Sequence, residues 1–321
     1  MEAQWNTLVE KSKNGTFLFD RRFMDYHADR FTDCSVVFLD DKRKTIVGAL
    51  PANWCSSEQT VYSHQGLTYG GLILLPGCTT TDVMQMFDLA CTHYRHQLGA
   101  KTIVYKPVPY IYNRYPADEP LYALFRHDAR LTARSISTAI SLDAPLPMQQ
   151  LRHRLVNKAL RHQLSVTAAT CTEDLQQFWD ALNTSLLQHH GVRPVHSMHE
   201  MQLLMARFPN HIQLYVTKSP DAKLLAGVWI LHCGPVAHLQ YITTTEEGRQ
   251  CGALDLLIAT LTEKLRVSYQ TSEISQPMQH RYLDFGISTE RQGHYLNEGL
   301  IFQKEGFGGR GVCYDTYELN I

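Results

Sequence analysis

The sequence predicts an α/β (α+β) protein with two similar domains, each a mixed, mainly antiparallel sheet flanked by helices. The chain has 321 residues, 44% of them hydrophobic, and a chain of this length commonly forms two domains. The second half shows two helices, three strands, a glycine-bearing turn, a helix and a further strand, and the first half shows a shorter version of this order. Because a proline-bearing segment, 143–147, lies between them, we expect domains at 1–145 and 146–321.

In the first half, apolar spacing predicts helical structure over 5–31, interrupted by the turn residues Asn14 and Gly15. Two apolar runs separated by the polar segment DDKRK predict a hairpin. Its strands span 34–39 and 45–50. A glycine-rich loop that enters an apolar strand (63–75), a helix (80–98) and a strand (101–105) follow, and Pro107 ends the last of these.

A predicted strand over 133–142 precedes the proline-bearing segment, and the second half follows it. Apolar residues at helical spacing then predict helices, and short apolar runs predict strands. The predicted helices span 148–164, 174–189, 197–207 and 253–269, and the predicted strands span 166–169, 211–218, 224–233, 236–243 and 282–285. Short, turn-rich connections between the strands over 211–243 favour an antiparallel meander.

The composition argues against several classes of protein. With a net charge of −1, the chain has no global field that would gather DNA on its surface. Its eight cysteines form no C-x-x-C pair, which favours reduced thiols over a disulfide framework. No run approaches the ~18 apolar residues of a membrane span, and the N-terminal segment is charged throughout. We therefore expect a cytoplasmic protein without a membrane span.

The turn after the predicted strand 236–243, EEGRQCGALDLL, is the first candidate ligand site. It contains Gly248, Arg249, Gly252 and Ala253 where the chain enters a helix. Free backbone N–H groups and the helix dipole meet at such a point, which suits a pyrophosphate. An ordinary helix N-terminus explains the same pattern equally well.

The second candidate is the C-terminal run YLDFGISTE together with GLIFQKEGFGG. Asp284, at the end of a strand, could orient an amine or accept its proton, and Lys304 could balance a phosphate or a developing oxyanion. A turn cap and a surface lysine explain either residue alone, but the two together favour a functional role. Protein kinases share the Asp-Phe-Gly motif, yet this chain lacks their H-R-D segment and their glycine-rich loop.

Three further segments are candidate binding sites. The helix LRHRLVNKALRHQL presents cations that include Arg154 and Lys158 on one face, although a solvated amphipathic helix is equally expected. The loop SHQGLTYGGL contains Tyr69 and Gly70, and its glycines suggest either a close approach to a ligand or a bulged strand entry. Four clustered histidines fit no standard zinc spacing, so no metal is expected. They are His189, His190, His196 and His199.

Together these segments resemble the FemAB-type branch of the GNAT superfamily, over about residues 17–317. The segments Asp284-Phe285-Gly286-Ile287-Ser288 and Phe302-Gln303-Lys304-Glu305-Gly306-Phe307-Gly308 are similar to its D/E-F-G-x-S strand and its F-K-x-x-F/W-G segment. Arg249-x-x-Gly252 resembles the start of the coenzyme A loop of GNAT enzymes. The chain departs from these patterns at Gln303, at Ile287, where an arginine is often found, and at Leu254, where a small residue belongs.

The resemblance implies tandem GNAT-like domains and an N-acyltransferase that moves an acetyl or aminoacyl group from acyl-CoA or aminoacyl-tRNA to an amine. The acceptor it suggests is a small molecule or a glycan precursor of the cell wall or a surface polysaccharide, reached in a groove between the halves. The resemblance assigns catalysis to Asp284 and Lys304, donor binding to Gly248, Arg249, Gly252 and Ala253, and acceptor binding to Tyr69, Gly70, Arg154, Lys158 and Ser288.

Two alternatives stay open at this point. Many tRNA-using members carry a long helical hairpin that this sequence does not show, which favours acyl-CoA as the donor without removing tRNA as a partner. The other alternative is a non-catalytic GNAT-fold protein that binds a glycan precursor or a protein partner. The degenerate coenzyme A loop is what this alternative predicts.

Overall fold

A computed structural model describes residues 1–42, 44–169, 171–271 and 279–321. Contacts between residues divide the chain into two compact units. The first contains Met1–Ile136, Thr289–Leu296 and Val312–Ile321, and the second contains Ser137–Ser288 and Asn297–Gly311. Two C-terminal segments therefore belong to the first unit.

Helices and strands alternate through both units. The α-helices are α1 (Glu2–Lys11), α2 (Arg21–Met24), α3 (Thr80–Leu98), α4 (Glu119–Arg126), α5 (Gln150–Arg161), α6 (Thr172–His190), α7 (Met198–Arg207), α8 (Glu246–Cys251), α9 (Ala253–Thr271) and α10 (Glu298–Glu305). The strands are β1 (Thr32–Asp33), β2 (Val36–Asp40), β3 (Thr45–Leu50), β4 (Asn53–Cys55), β5 (Thr60–Tyr62), β6 (Ile73–Leu74), β7 (Thr102–Tyr105), β8 (Arg130–Ser141), β9 (Ser165–Ala168), β10 (Ile212–Lys218), β11 (Leu224–Cys233), β12 (Val236–Thr244), β13 (Tyr282–Ile287), β14 (Thr289–Glu290), β15 (Tyr295–Leu296) and β16 (Arg310–Asn320). Short 3₁₀ turns lie at Phe17–Phe19, Asp25–His27, Tyr110–Tyr112 and Arg291–Gly293.

The first unit packs α3 against strands. Strands β1, β4, β5, β7 and β16 are neighbours in that order, and β2, β3 and β6 form a separate sheet. Helix α3 begins with a capping box between Thr79 and Asp82 and ends at Gly99, whose φ is +65°. Its apolar side buries residues such as Phe87 and Tyr94 in one hydrophobic cluster with Ile103 of β7.

The second unit is built on strands β8 (from Ser137), β13, β12, β11, β10 and β9, in that order. Strands β9 to β12 pair antiparallel, whereas β12 and β13 run parallel. Every residue of β11 is buried, because helices cover both of its faces. On one face, residues such as Leu257 and Leu261 of α9 join the core, and on the other Phe178 of α6 packs on Gly227, where an added Cβ would lie 2.5 Å from the ring.

The predicted fold class is confirmed: mixed, mainly antiparallel sheets are flanked by helices, and the strands over 211–243 form the expected meander. The predicted helix over 253–269 is α9, and the predicted hairpin consists of β2 and β3. Helices α4, α8 and α10 and strands β4, β5 and β16 were not predicted. Among the described residues, no helix is both long and apolar enough to cross a bilayer.

Candidate functional site

The two parallel strands of the second unit separate at a buried carboxylate. Strands β12 and β13 pair from Val236↔Tyr282 only as far as His238↔Asp284, although both strands continue beyond that point. On its other side β13 pairs with β8, and this register shifts just after Asp284. A crevice that opens at the carboxyl ends of parallel strands is a common ligand site in α/β proteins. Asp284 lies where the strands part.

Asp284 is fully buried and hydrogen-bonded through both of its oxygens. Ser137 Oγ donates to Oδ1 at 2.5 Å, and the Gly286 N–H lies 3.3 Å from the same oxygen. His238 Nδ1 lies 2.8 Å from Oδ2, so its Nδ1 proton is donated to the carboxylate. These donors compensate the cost of burying the charge, and the carboxylate fixes the orientation and the tautomer of the imidazole.

Gly286 connects this carboxylate with Lys304. Its φ of +75° lies in the left-handed region, which glycine adopts without steric cost. In this conformation its N–H faces Asp284, while its carbonyl accepts a hydrogen bond from Lys304 Nζ at 2.7 Å. Phe285, between them, stacks on Phe307 in the core with ring centroids 5.8 Å apart. In the Asp-Phe-Gly segment, Asp284 thus supplies the carboxylate, Phe285 packs in the core, and Gly286 turns the backbone towards Lys304.

Lys304 lies in the last turn of α10 with 5% of its surface exposed. Its Nζ donates to the carbonyls of Gly286 and Ile287, at 2.7 and 2.9 Å. Burial lowers the pKa of Lys304 to about 8, and the nearby charge of Asp284 opposes that effect. An ammonium group of this kind is charged at neutral pH but close to the point of releasing a proton. The structure therefore brings the two predicted catalytic residues together.

A bulge in β12 lies beside His238. The pairing with β11 shifts between Trp229↔Tyr241 and Ile230↔Leu239, so Gln240 has no partner across this ladder. The extra residue places His238 and Tyr241 on the same face of the sheet, the face that carries Asp284. Bulges of this kind are frequent next to active sites, because they re-aim side chains and release backbone groups from the ladder.

The same face carries buried polar groups that have no hydrogen-bond partner within the described parts of the chain. They include Trp229 Nε1 and Thr243 Oγ1, and the buried Ser288 Oγ just after β13 shares this property. Buried donors and acceptors are normally satisfied, so such groups indicate a place where a ligand or a water completes the bonding. Ser288, a predicted acceptor residue, lies two positions after Gly286. Its hydroxyl could therefore bond to a ligand at this site.

Of the four predicted donor-binding residues, Gly248, Arg249 and Gly252 lie on α8 and at its end, where the sequence predicted a turn, and Ala253 begins α9. Gly248 is buried in α8, and a Cβ there would lie 2.1 Å from the Leu225 carbonyl oxygen. Gly252 ends α8 with a φ of +79°. Arg249 is exposed and bridges to Glu246 at 3.0 Å. The glycines therefore have packing roles, and the assignment to donor binding stays a prediction.

Two predicted acceptor residues, Arg154 and Lys158, are exposed on α5. Lys158 borders a cavity of 380 Å³ in the second unit, which Gln250 and Cys251 of α8 also line. The lining includes Lys158 and His162 but also the carboxylates of Asp221 and Glu247, so its charges are mixed.

The other two predicted acceptor residues lie in the interior of the first unit. Tyr69 is 1% exposed and donates a hydrogen bond to Thr16 Oγ1 at 3.1 Å. A Cβ at Gly70 would lie 1.6 Å from the carbonyl oxygen of Ser63, so the backbone can pass there only with glycine. Both residues have structural contacts that explain them, and their role in acceptor binding stays a prediction.

Sequence reasoning missed His238 and Ser137, the two partners of Asp284. The only local signal is a polar residue inside an apolar strand, as His238 is within VAHLQY. Of the clustered histidines, His196 Nδ1 lies 2.7 Å from the Tyr241 hydroxyl and packs against Trp229 on the same face. Across the described ranges, no group of three or more metal-ligating side chains could hold an ion.

Comparisons with known proteins show a matching domain family and a shared fold. Residues 149–291 match the acetyltransferase (GNAT) domain family, a range that includes both His238 and Asp284. No curated protein matches the sequence. The crystal structure of FemX is similar with a TM-score of 0.69 and 11% identity, over 98% of this chain and 95% of that one.

Two further solved structures have a similar fold. One is the C-terminal domain of a protein described as a lysylphosphatidylglycerol synthetase of Agrobacterium fabrum, with a TM-score of 0.60 and 11% identity over 99% of this chain and 91% of that one. The other is L-PGS from Bacillus licheniformis, with a TM-score of 0.60 and 10% identity over the same shares. At these identities the likeness establishes the fold.

Proposed function

We propose that this chain is a FemAB-like acyltransferase of the GNAT superfamily and that it transfers an acyl group to an amine at the site around Asp284. The observation that carries the proposal is the buried pair of His238 and Asp284 beside Lys304, at the point where β12 and β13 separate. This pair lies inside the range that matches the GNAT domain.

In the proposed reaction, the amine nitrogen attacks the acyl carbon and forms the new C–N bond. The bond from the acyl carbon to the sulfur or oxygen of the carrier breaks. The amine gives up one proton to the pair formed by His238 and Asp284, and the carrier leaves with one proton as a thiol or an alcohol. A base of this kind typically contributes about 10²–10⁴-fold to the rate.

Two features of the site suit the negative charge that develops on the acyl oxygen. The Lys304 ammonium is buried, and a charge in such an environment acts more strongly than one in water. The bulge at Gln240 supplies backbone that is not engaged across the ladder with β11. Neither feature requires a metal or a covalent enzyme intermediate.

The donor in this proposal is an acyl-CoA thioester or an aminoacyl-tRNA ester. The name of the similar A. fabrum protein refers to a lysyl compound, which supports keeping aminoacyl donors beside acetyl donors. The acceptor is an amine on a cell-wall or surface-polysaccharide precursor, so the protein would serve cell-envelope biogenesis. Because both donor classes are cytoplasmic, a cytoplasmic location belongs to the same proposal.

Mass spectrometry of the acceptor after incubation with acetyl-CoA, longer acyl-CoAs or aminoacyl-tRNA tests the proposal. We expect an amide product, and we expect Asp284→Asn to lower kcat by about 10²-fold or more with the fold intact. The matched control is Asp180→Asn, which changes an exposed aspartate on α6 of the same unit. Wild-type turnover in Asp284→Asn would remove this site from the reaction. Binding of a glycan precursor without transfer from any donor would instead support a non-catalytic protein.

A further inference from the structure

In the GNAT fold, the helix that follows the glycine-bearing turn is where the pyrophosphate of coenzyme A would be expected to meet free N–H groups. In this chain that helix is α9, which begins at Ala253. Its first turn already carries a carboxylate of the chain itself, since Asp255 is the third residue of the helix. Asp255 is 6% exposed. The carboxylate of Asp255 therefore supplies the negative charge that the positive end of the helix dipole favours.

Asp255 is held in place by a buried arginine. Arg152 Nη1 of α5 donates to Asp255 Oδ1 at 2.9 Å, and Arg152 is 8% exposed. The guanidinium carbon also lies 5.2 Å from the centre of the Phe307 ring. An arginine that is both ion-paired and stacked on an aromatic ring keeps a defined position, and the carboxylate of Asp255 already balances its charge, although its Nε is buried without a partner among the described residues.

Helix α5 also closes the space over the turn. A Cβ at Gly252 would lie 2.4 Å from the carbonyl oxygen of Leu155, so the backbone of α5 touches the turn directly. A carbonyl oxygen is a hydrogen-bond acceptor and carries a partial negative charge, which is the wrong group to face a phosphate. The residues present here do not fit a pyrophosphate.

We infer that the pair Arg152–Asp255 occupies the position of the donor's pyrophosphate, so that this acyltransferase does not anchor coenzyme A at the start of α9. The inference rests on the proposed function, because it presupposes that the chain transfers an acyl group from a donor. It restricts the ways in which that donor can be bound. The donor must be recognised through its acyl group and through parts of its carrier that lie away from α9. The predicted donor residues Gly248 and Gly252 then serve the packing of α8 and α5.

Isothermal titration of the wild-type protein with acetyl-CoA and with 3′,5′-ADP tests the inference without relying on turnover. We expect no saturable binding of either compound up to about 1 mM. A dissociation constant in the micromolar range for acetyl-CoA, with competition by 3′,5′-ADP, would overturn the inference.

A variant that opens the position gives the complementary result. Asp255→Ala removes the carboxylate and leaves Arg152 beside the N–H groups of α9, so inorganic pyrophosphate should raise the Tm of this variant. The wild type should show no such rise. Neither should the matched control Glu263→Ala, which removes an exposed carboxylate from the same helix, α9. A wild type that responds as strongly as the variant would contradict the inference. A folded Asp255→Ala protein that ignores pyrophosphate would overturn the role of the Arg152–Asp255 pair and leave the Leu155 carbonyl as the group that keeps the anion out. If the variant does not fold, the titration of the wild type decides.

Comparing two acetyl donors separates failure of this inference from failure of the proposed function. Acetyl-CoA and S-acetylpantetheine carry the same thioester, but only the first has a pyrophosphate. Equal kcat/KM for the two supports the inference. A preference of about 100-fold or more for acetyl-CoA, still abolished by Asp284→Asn, would overturn the inference and leave the proposed function standing. If neither thioester is turned over, the binding results alone decide the inference.

Discussion

Lys304 is the residue whose protonation should control the pH dependence of the reaction. Its pKa is lowered from the ordinary value of 10.5 to about 8, first by burial and against the influence of Asp284. If the ammonium form stabilises the acyl oxygen, kcat should fall as the pH rises through about 8. We expect a pH–rate profile of the wild type to show this descending limb and the profile of Lys304→Met to lack it, at a rate lower by about 10²-fold.

A matched control exists in the first unit. Burial also lowers the pKa of Lys106 to about 8, and its Nζ donates to the carbonyl of Leu67 at 2.6 Å. Lys106→Met should therefore remove a buried ammonium and leave the descending limb of the rate profile in place. If Lys106→Met removes the limb, or if Lys304→Met keeps it, Lys304 is not the group that titrates.

Both lysines also make stability depend on pH, and the sign follows from their lowered pKa. Between pH 8 and 10.5, the unfolded lysine keeps a proton that the folded one has released. The free energy of unfolding therefore rises with pH in that window, while below pH 8 the full cost of the buried ammonium is present. Urea titrations at pH 7.5 and 9.5 should show this rise in the wild type and a smaller one in either methionine variant.

At the same scale, the sequence could supply Asp284 and Lys304 but not their surroundings. The Asp-Phe-Gly segment is a local pattern, and the positive φ of Gly286 accounts for its glycine. His238 lies 46 residues before Asp284, and the two meet only because β12 and β13 pair in parallel. Pairing between strands so far apart is set by packing of the whole unit, which no local periodicity encodes.

Among the elements, the junction of α8 and α9 depends on glycine for two separable reasons. Gly252 has a φ of +79° and lies against the Leu155 carbonyl, whereas Gly234 has a φ of +64° with nothing within 4 Å of an added Cβ. Alanine at either position should cost about 1–2 kcal/mol for the left-handed backbone. Gly252→Ala should lose about 1–3 kcal/mol more, because α5 has to move away.

Chemical denaturation of the two glycine variants measures that difference directly. The midpoint of Gly252→Ala should lie clearly below that of Gly234→Ala, with the denaturant slope unchanged. Equal losses would mean that the carbonyl of Leu155 moves aside without cost. In that case α5 could move away from the turn easily, and its close approach would no longer support the inference about coenzyme A.

Long elements with clear signals could be predicted from the sequence, and short ones could not. Helix α7 was expected over 197–207 and spans Met198–Arg207, with Ser197 and Glu200 forming a capping box. The sequence predicts a turn where α8 lies. Helix α8 has only six residues, so it lacks a full period of apolar spacing, and contacts with β11 and α9 stabilise it.

For the molecule as a whole, the sequence indicated the order of the elements but not which of them share a unit. The last ten residues, Val312–Ile321, belong to the first unit, because β16 pairs antiparallel with β7. Strands so far apart in sequence pair only once the fold between them is in place, and loop closure over such a distance leaves no local trace. The boundary predicted at residue 145 stays a prediction.

The membership of β16 in the first unit predicts that a change near the C-terminus destabilises the N-terminal part of the chain. Leu319 is 2% exposed, pairs with Ile103, and belongs to the same hydrophobic cluster as Phe87 of α3. Leu319→Ala should lower the free energy of unfolding by about 2–5 kcal/mol, since it leaves a cavity between these residues.

Hydrogen exchange locates that loss. In Leu319→Ala the amides of β7 and α3 should exchange faster, whereas those of β11 and α9 should change least, because exchange reports the stability of each cooperative region separately. The control is Cys313→Ser, an exposed position of the same strand, which should leave all four elements unchanged. Equal acceleration throughout the chain would show that the two units unfold as one, and acceleration confined to β11 and α9 would contradict the pairing of β16 with β7.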